Sequence, residues 1–154
     1  MIGILICGHD HFACGMREAA EMLCGPQAYL QALDYKLNED LDVYRQNLRN
    51  QIEAWEPETE EILCLCDIQG GFPMEACLTQ LPDKKVKIIT ETTLTLLTYL
   101  LVHRNGSQSS RQLIDNALLE AKEAIREVID RFSNLECDVH AQMPFFTEDT
   151  HVNT

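Results

Sequence analysis

Two side chains in this chain of 154 residues, His9 and Asp67, have the types and positions needed for nucleophilic chemistry. His9 follows the apolar run 2–7, and Asp67 follows the apolar run 62–66. A carboxylate bonded to one imidazole nitrogen fixes the tautomer and leaves the other nitrogen free to attack. The pair therefore predicts a nucleophilic histidine that an aspartate orients.

Two adjacent glycines, Gly70 and Gly71, stand shortly after Asp67 and directly before Phe72 and Pro73. Pro73 suits the first turn of a helix, because its fixed φ fits there and its missing N–H is not needed. Backbone N–H groups at such a turn can bind an anion. A plain tight turn explains the same glycines, and the two interpretations are compatible.

The apolar pattern predicts alternating strands and helices around these residues. Strands are expected at residues 2–7, 28–37, 62–66 and 86–90. The helices between and after them are predicted at 12–23, from an Asn38 cap to residue 55, at 73–81, at 94–102, and along an apolar stripe from Ile114 to Phe132. Such alternation is typical of a doubly wound α/β fold with a parallel sheet and right-handed crossovers.

The common strand order 2-1-3-4 would make the first and third strands neighbours. His9 and Asp67 would then meet at the carboxyl ends of adjacent strands, where sheets of this class bind their ligands. The predicted fold thus supports the predicted site.

The chain carries 25 acidic and 12 basic side chains, for a net charge of −13. This balance argues against nucleic acid as a partner, because phosphate neutralisation needs a basic surface. Part of the excess forms an acidic group between the second helix and the third strand, consisting of Glu56, Glu58, Glu60 and Glu61. It is either a solvated loop or a surface that steers a basic partner.

The seven cysteines lie mostly in apolar runs without regular spacing, which favours reduced thiols in a cytoplasmic protein. Met1 leads straight into the first strand, so no secretory signal is expected, and no apolar stretch is long enough to span a membrane. Cys64 and Cys66 lack the partner pair of a zinc site, so we predict no metal and no cofactor. Cys7 and Cys77 are expected in the core, and Cys14 as packing rather than a redox switch.

Two stretches resemble the mannose-family enzyme IIA domains of the bacterial phosphoenolpyruvate-dependent sugar phosphotransferase system. Those domains begin with a strand, a Ser/Thr-His-Gly motif and a helix ending in Ala-Glu-Met-Leu-x-Gly, which is similar to residues 20–25. The distance from this ending points to His9 rather than His11. Residues 67–73 are similar to the family's Asp-x-x-Gly-Gly-Ser/Thr-Pro. The resemblance covers residues 1–132 as one domain and leaves 133–154 as a tail or edge strand.

The resemblance implies a phosphoryl carrier in sugar uptake. His9 would accept a phosphoryl group from the histidine-containing phosphocarrier protein and pass it to an enzyme IIB. Asp67 would hold the imidazole and leave Nε2 as the acceptor, while backbone amides of Gly70, Gly71 and Phe72 would bind the phosphoryl oxygens. Asp10 and His11 would lie just outside this arrangement.

The same resemblance implies a flavodoxin-like sheet in a homodimer, often with an exchanged antiparallel edge strand. The chain would be cytoplasmic and would approach the membrane only through the transporter subunits, which also select the sugar.

Four departures from the family pattern bear on this function. Asp10 replaces the glycine after the histidine, Phe72 replaces the Ser/Thr, Glu75 replaces a frequent asparagine, and residues 91–95 replace Gly-x-Asn-Leu-Pro. A phosphohistidine carries nearly two negative charges, so nearby acids would oppose it. The alternatives are a regulatory homologue that no longer transfers, or the phosphoryl-donor subunit of a dihydroxyacetone kinase. A flavin site is disfavoured, because residues 8–12 lack a run of Ser/Thr.

Overall fold

The computed structural model describes residues 1–82 and 85–126. Its strands are β1 (Ile2–His9), β2 (Leu30–Tyr35), β3 (Glu61–Cys66) and β4 (Val86–Ile89). Its helices are α1 (Phe12–Cys24), α2 (Leu41–Trp55), α3 (Phe72–Leu78), α4 (Leu94–His103) and α5 (Ser110–Ala124). Met1–Ala124 form one compact unit.

The four strands form one parallel sheet in the order β2-β1-β3-β4, which confirms the predicted order. In the register of β1 and β2, His9 lies opposite Tyr35. In the register of β1 and β3, Cys7 lies opposite Cys66. The residues that follow these positions, including Asp67, therefore meet at one edge of the sheet.

Alternate residues of the central strands face two separate cores, because successive side chains of a strand point to opposite faces. Ile4 and Ile6 pack with α1, α4 and α5, whereas Leu5 and Cys7 pack with α2 and α3. Each of these four side chains is fully buried. Helices cover both faces, as the apolar runs of β1 and β3 predict.

Three predicted helix boundaries are wrong: the start of α2 and the ends of α3 and α5. The cap of α2 is Asp40, whose side chain accepts a hydrogen bond from Asp42 N, and not Asn38, which has a φ of 65° and belongs to the preceding turn. Helix α3 ends at Leu78 instead of residue 81.

Helix α5 ends at Ala124, although its apolar stripe predicted a continuation to Phe132. Ile125, the first stripe residue after this end, is 73% exposed. Val128, Phe132 and the predicted boundary between 132 and 133 lie outside the described residues.

Four thiols cluster in the core between the sheet and α3. Cys7, Cys64, Cys66 and Cys77 are fully buried, and the Sγ atoms of Cys66 and Cys77 are 3.7 Å apart. Hydrogen bonds with neighbouring thiols, together with burial, raise the pKa of Cys64 and of Cys77, so both stay protonated. The prediction that Cys7 and Cys77 are small core residues is confirmed.

The described residues contain no group of His, Cys, Asp or Glu side chains arranged to hold a metal ion. Within the same ranges, no helix combines the length and apolar character needed to cross a membrane.

Candidate active site

One carboxylate oxygen holds His9 in place. Asp67 Oδ2 accepts a hydrogen bond from the His9 backbone N–H at 2.8 Å and lies 2.8 Å from His9 Nδ1. Because an ionised carboxylate can only accept, Nδ1 carries the hydrogen and donates it. Nε2 is then the nitrogen with a free lone pair, and the His9 side chain is 41% exposed.

The sheet and a local turn fix the carboxylate. Asp67 N donates to Cys7 O at 3.2 Å, which continues the pairing of β1 with β3 by one residue. Asp67 Oδ1 accepts from Ile68 N at 2.9 Å, so each oxygen has its own donor. The Asp67 side chain is only 12% exposed, and a less hydrated carboxylate interacts more strongly with an imidazole.

The turn after Asp67 packs directly against the imidazole. A Cβ atom on Gly71 would lie 2.5 Å from His9 Cε1 and 3.2 Å from Nε2, so only glycine permits this approach. Gly70 has a φ of 80°, in the left-handed region that favours glycine. Gly71 is the N-cap of α3 and Pro73 lies in its first turn, where the N–H groups have no intrahelical acceptor.

Tyr35 packs against His9, and Phe72 in turn packs against Tyr35. The ring of Tyr35 meets His9 edge to face with centroids 6.2 Å apart, and Phe72 lies 5.4 Å from Tyr35. Tyr35 donates its hydroxyl to Glu39 O, which fixes the ring. Phe72 is 52% exposed, so the position where the family has a hydroxyl instead presents apolar surface. Sequence reasoning missed Tyr35, although its place at the end of a strand beside β1 was a usable signal.

Glu75 and Glu91, two acidic residues that depart from the family pattern, each accept a hydrogen bond. Arg45 Nη2 donates to Glu75 Oε1 at 2.7 Å, and Gln69 N donates to Glu91 Oε1 at 3.1 Å. Sequence reasoning missed Arg45, because its pairing joins α2 to α3 across 30 residues.

Asp10 and His11 lie beside the site without bonding to its nucleophile. Asp10 takes a left-handed conformation with a φ of 52°, and its carboxylate is 3.7 Å from Lys36 Nζ. His11 has an 80% exposed side chain whose Nδ1 is 3.2 Å from the same ammonium group. Lys36 is the second cation that sequence reasoning missed.

The start of α1 is capped from a neighbouring strand. Asp34 Oδ1 accepts from Ala13 N at 3.0 Å and from Cys14 N at 3.1 Å. Cys14 itself donates to Glu18 Oε1 at 3.4 Å, and this bond raises the pKa of the thiol. A thiol that is harder to ionise is a poor redox switch, as expected for Cys14. Cys14 is only partly buried, and its packing role stays a prediction.

The fold and the strand-end pair define a parallel α/β protein with a histidine and an aspartate at the carboxyl edge of its sheet. The family model EIIA-man, described as PTS system fructose IIA component, matches residues 3–118. The chain therefore belongs to this family of the sugar phosphotransferase system (PTS), which confirms the resemblance drawn from residues 9–25 and 67–73.

Known relatives agree with this assignment. A Bacillus subtilis (strain 168) protein, the PTS system fructose-specific EIIA component, is 30% identical over 76 residues, which are 49% of this chain and 51% of that protein. The chain thus spans about half the length of this curated relative.

Solved structures show the same fold. The phosphotransferase system component EIIA from Streptococcus agalactiae has a TM-score of 0.74 and 25% identity, covering 82% of this chain and 97% of that one. The mannose/sorbose specific IIA subunit from Enterococcus faecalis has a TM-score of 0.72 and 14% identity, covering 82% of this chain and 94% of that one. The second likeness bears on the fold alone.

Proposed function

We propose that the chain carries phosphoryl groups in sugar uptake, accepting them on His9 Nε2 from the histidine-containing phosphocarrier protein and passing them to an enzyme IIB subunit. The main support for this proposal is that Asp67 Oδ2 contacts both the backbone N–H and Nδ1 of His9. Membership of the PTS EIIA family supports the same role.

The transfer requires little covalent work from the protein. The Nε2 lone pair of His9 attacks the phosphorus of the donor phosphohistidine, and the donor P–N bond breaks as the new one forms. The ring of His9 then bears positive charge, because Nδ1 keeps its hydrogen while Nε2 is phosphorylated. Asp67 offsets this charge at 2.8 Å, so positioning and electrostatics dominate.

The turn before α3 is the second part of the proposal. The backbone amides of Gly70, Gly71 and Phe72 would bind the phosphoryl oxygens, which suits the position of Gly71 beside the His9 ring. Gly70 N already contacts Met74 Sδ at 3.2 Å. Because sulfur is a weak acceptor, a phosphoryl oxygen could displace it.

Family membership also supports the further predicted partners. The chain would work beside enzyme IIB and the membrane subunits of one transporter, on the cytoplasmic side, and as a homodimer. The candidate for an exchanged edge strand, residues 133–154, lies outside the described residues.

The decisive experiment incubates the chain with phosphoenolpyruvate, enzyme I and the phosphocarrier protein and follows intact mass. We expect one acid-labile phosphoryl group, its loss in His9→Gln, and its retention in the control His103→Gln on α4. Asp67→Asn should slow acceptance by up to about 100-fold, because a misplaced nucleophile loses that order of rate. An adduct that survives His9→Gln, or no adduct at all, would contradict the proposal.

Adding an enzyme IIB separates the two alternatives from the carrier role. A regulatory homologue would keep its phosphoryl group, and a dihydroxyacetone kinase subunit would pass it only to that kinase. Discharge to an enzyme IIB of a mannose-type or fructose-type system supports the carrier.

A further inference from the structure

A single ammonium group organises the turn that follows His9. Lys36, directly after β2, donates from Nζ to Asp10 O at 2.8 Å. The same nitrogen is 3.7 Å from Asp10 Oδ1 and 3.6 Å from Asp34 Oδ2. Its side chain is 46% exposed, so it remains within reach of solvent and of a partner.

The turn at Asp10 needs such support. A φ of 52° is unfavourable for most side chains, and Asp is one of the few non-glycine residues that adopt it with some frequency. Asp10 N donates to Tyr35 O at 2.9 Å, so Tyr35 and Lys36 hold the amide and the carbonyl of one residue. The end of β2 thereby fixes the backbone adjacent to His9.

The carboxylate of Asp10 creates an electrostatic problem at the same place. Phosphorylation adds between about 1.5 and 2 negative charges to the residue before Asp10. Asp34 and Glu39 add further acid around Lys36, since Lys36 N also donates to Glu39 Oε2. Among the lysines and arginines of the described residues, Lys36 is the one that contacts this acidic group. His11 Nε2 also lies 3.7 Å from Asp10 Oδ1 and adds positive charge only when its ring is protonated.

Building on the function proposed above, we propose that Lys36 is a positioning residue for phosphoryl transfer. It neutralises Asp10 and clamps the left-handed turn, so that a carboxylate can occupy a position where the family has glycine. Lys36 acts through Asp10 and needs no contact with the phosphoryl group. The inference is specific to this chain. A glycine at position 10 would have no carboxylate to neutralise and would adopt the left-handed conformation without support.

Asp34 extends the clamp to the helix that follows. Its Oδ1 caps α1 while its Oδ2 faces Lys36, so one carboxylate links the ammonium group to the first turn of that helix. If Lys36 moves, the backbone near His9 can shift in two ways, because Lys36 contacts Asp10 directly and contacts the first turn of α1 through Asp34.

The test is a double-mutant cycle on Lys36→Met and Asp10→Asn, because Asn tolerates the left-handed conformation and removes the charge. We expect Lys36→Met to lower kcat/KM for phosphoryl acceptance about tenfold. Asp10→Asn in the same chain should restore the part of this loss that is due to charge, to within about threefold of the parent, because the hydrogen bond to Asp10 O stays absent. Lys36→Arg should keep most of the rate. The control Lys122→Met, at an exposed position on α5, should leave the rate unchanged.

Salt dependence distinguishes positioning from a structural ion pair. The loss in Lys36→Met should shrink as ionic strength rises, because the uncompensated Asp10 charge becomes screened. A thermal melt checks that the fold survives. Three results would each overturn the inference. These are a kcat/KM in Lys36→Met equal to that of the parent chain, a loss of kcat/KM that adding Asp10→Asn does not reduce, and a loss that does not change with salt.

Chemical phosphorylation with phosphoramidate, which needs no protein partner, separates this inference from the proposed function. If the phosphocarrier protein fails but phosphoramidate modifies His9, the proposed function is wrong, and the rate of modification and the phosphohistidine lifetime still test Lys36. A shorter lifetime in Lys36→Met, restored by Asp10→Asn, supports the inference. Equal lifetimes, or no modification of His9 by either reagent, would contradict it.

Discussion

At the scale of single residues, the candidate site depends on atoms that serve two purposes at once. Asp67 Oδ2 faces both the backbone N–H and the ring of His9, so one oxygen sets the backbone and the tautomer together. Gly71 has a similar double role, because it caps α3 and also leaves space for the imidazole. Substitutions at either residue should disturb the reaction more than the fold.

Gly71→Ala tests the close approach at His9. Because the added Cβ would lie 2.5 Å from His9 Cε1, the imidazole or the turn must move. A misplacement of about 1 Å can cost roughly 100-fold in rate, so we expect phosphoryl acceptance to fall by that order. Rapid-quench phosphorylation measures the rate, and the NMR shift of the His9 Cε1 proton reports the ring position.

Gly15→Ala is the matched control for this substitution. Gly15 lies in α1, and a Cβ atom added there would meet nothing within 4 Å beyond the backbone of its own helix, so alanine fits without displacement. It should leave transfer intact and stabilise the fold by about 0.5–1 kcal/mol, since alanine favours a helix. Equal transfer rates in both variants would show that Gly71 does not constrain the imidazole.

At the scale of elements, local patterns predicted most of the fold. Continuous apolar runs identified β1 and β3, because strands buried on both faces need them. His9, two residues after the first run, and Asp67, directly after the second, supplied the site pair. The helix ends were harder, since capping depends on one side-chain bond, here from Asp40. Where α5 ends depends on what its apolar stripe can pack against, which local sequence does not encode.

The parts of the site that could not be predicted involve contacts distant in sequence. Tyr35 and Lys36 approach His9 and Asp10 only after β2 pairs with β1 in one register. Arg45 reaches Glu75 only after α2 and α3 lie side by side. Such contacts follow from tertiary packing, so a single sequence shows the residue types without their partners.

Substitution of Arg104 tests how α4 is joined to the sheet. It is 6% exposed and donates to the carbonyls of Ile2, Ala28 and Tyr29, which tie the end of α4 to the starts of β1 and β2. Arg104→Met should lower the free energy of unfolding by about 1–3 kcal/mol, because it leaves buried carbonyls without that donor. Urea unfolding measures the change.

Arg111→Met provides the comparison for Arg104→Met. Arg111 is 80% exposed and pairs with Asp115 one turn along α5, an arrangement worth about 0.3–0.5 kcal/mol. A loss for Arg104→Met no larger than the loss for Arg111→Met would contradict the structural role assigned to the buried guanidinium.

At the scale of the whole molecule, the chain has a net charge of −13, and acidic side chains of the described residues lie at both ends of the sheet. Glu60 lies at the amino end, where its backbone N–H donates to Met1 O, and Glu61 pairs with Lys87. His9 lies at the other end of β1, about 23 Å away for seven steps of roughly 3.3 Å. The acidic loop before β3 therefore lies far from His9, which favours the interpretation of that loop as a solvated one.

Acids at the carboxyl end of the sheet are better placed for steering, and Glu75 on α3 is the one to test. Its side chain is 52% exposed. A phosphocarrier protein with basic residues around its own histidine would be attracted by this end, so kcat/KM should fall about tenfold between roughly 0.05 and 0.5 M salt. Glu75→Gln should lower the rate at low salt and flatten this dependence, whereas Glu58→Gln, at the amino end, should change neither.

This steering acts over a longer range than the compensation of Asp10 by Lys36, and the two can be separated. Attraction between whole surfaces changes only the encounter rate, so Glu75→Gln should leave the lifetime of an isolated phosphohistidine unchanged. Lys36→Met should alter both the encounter rate and that lifetime, because the Asp10 carboxylate, no longer paired with Lys36, remains on the residue next to His9 after the partner leaves. A salt dependence that is the same in Glu58→Gln and Glu75→Gln would show that charge attracts the partner without regard to its position on the sheet.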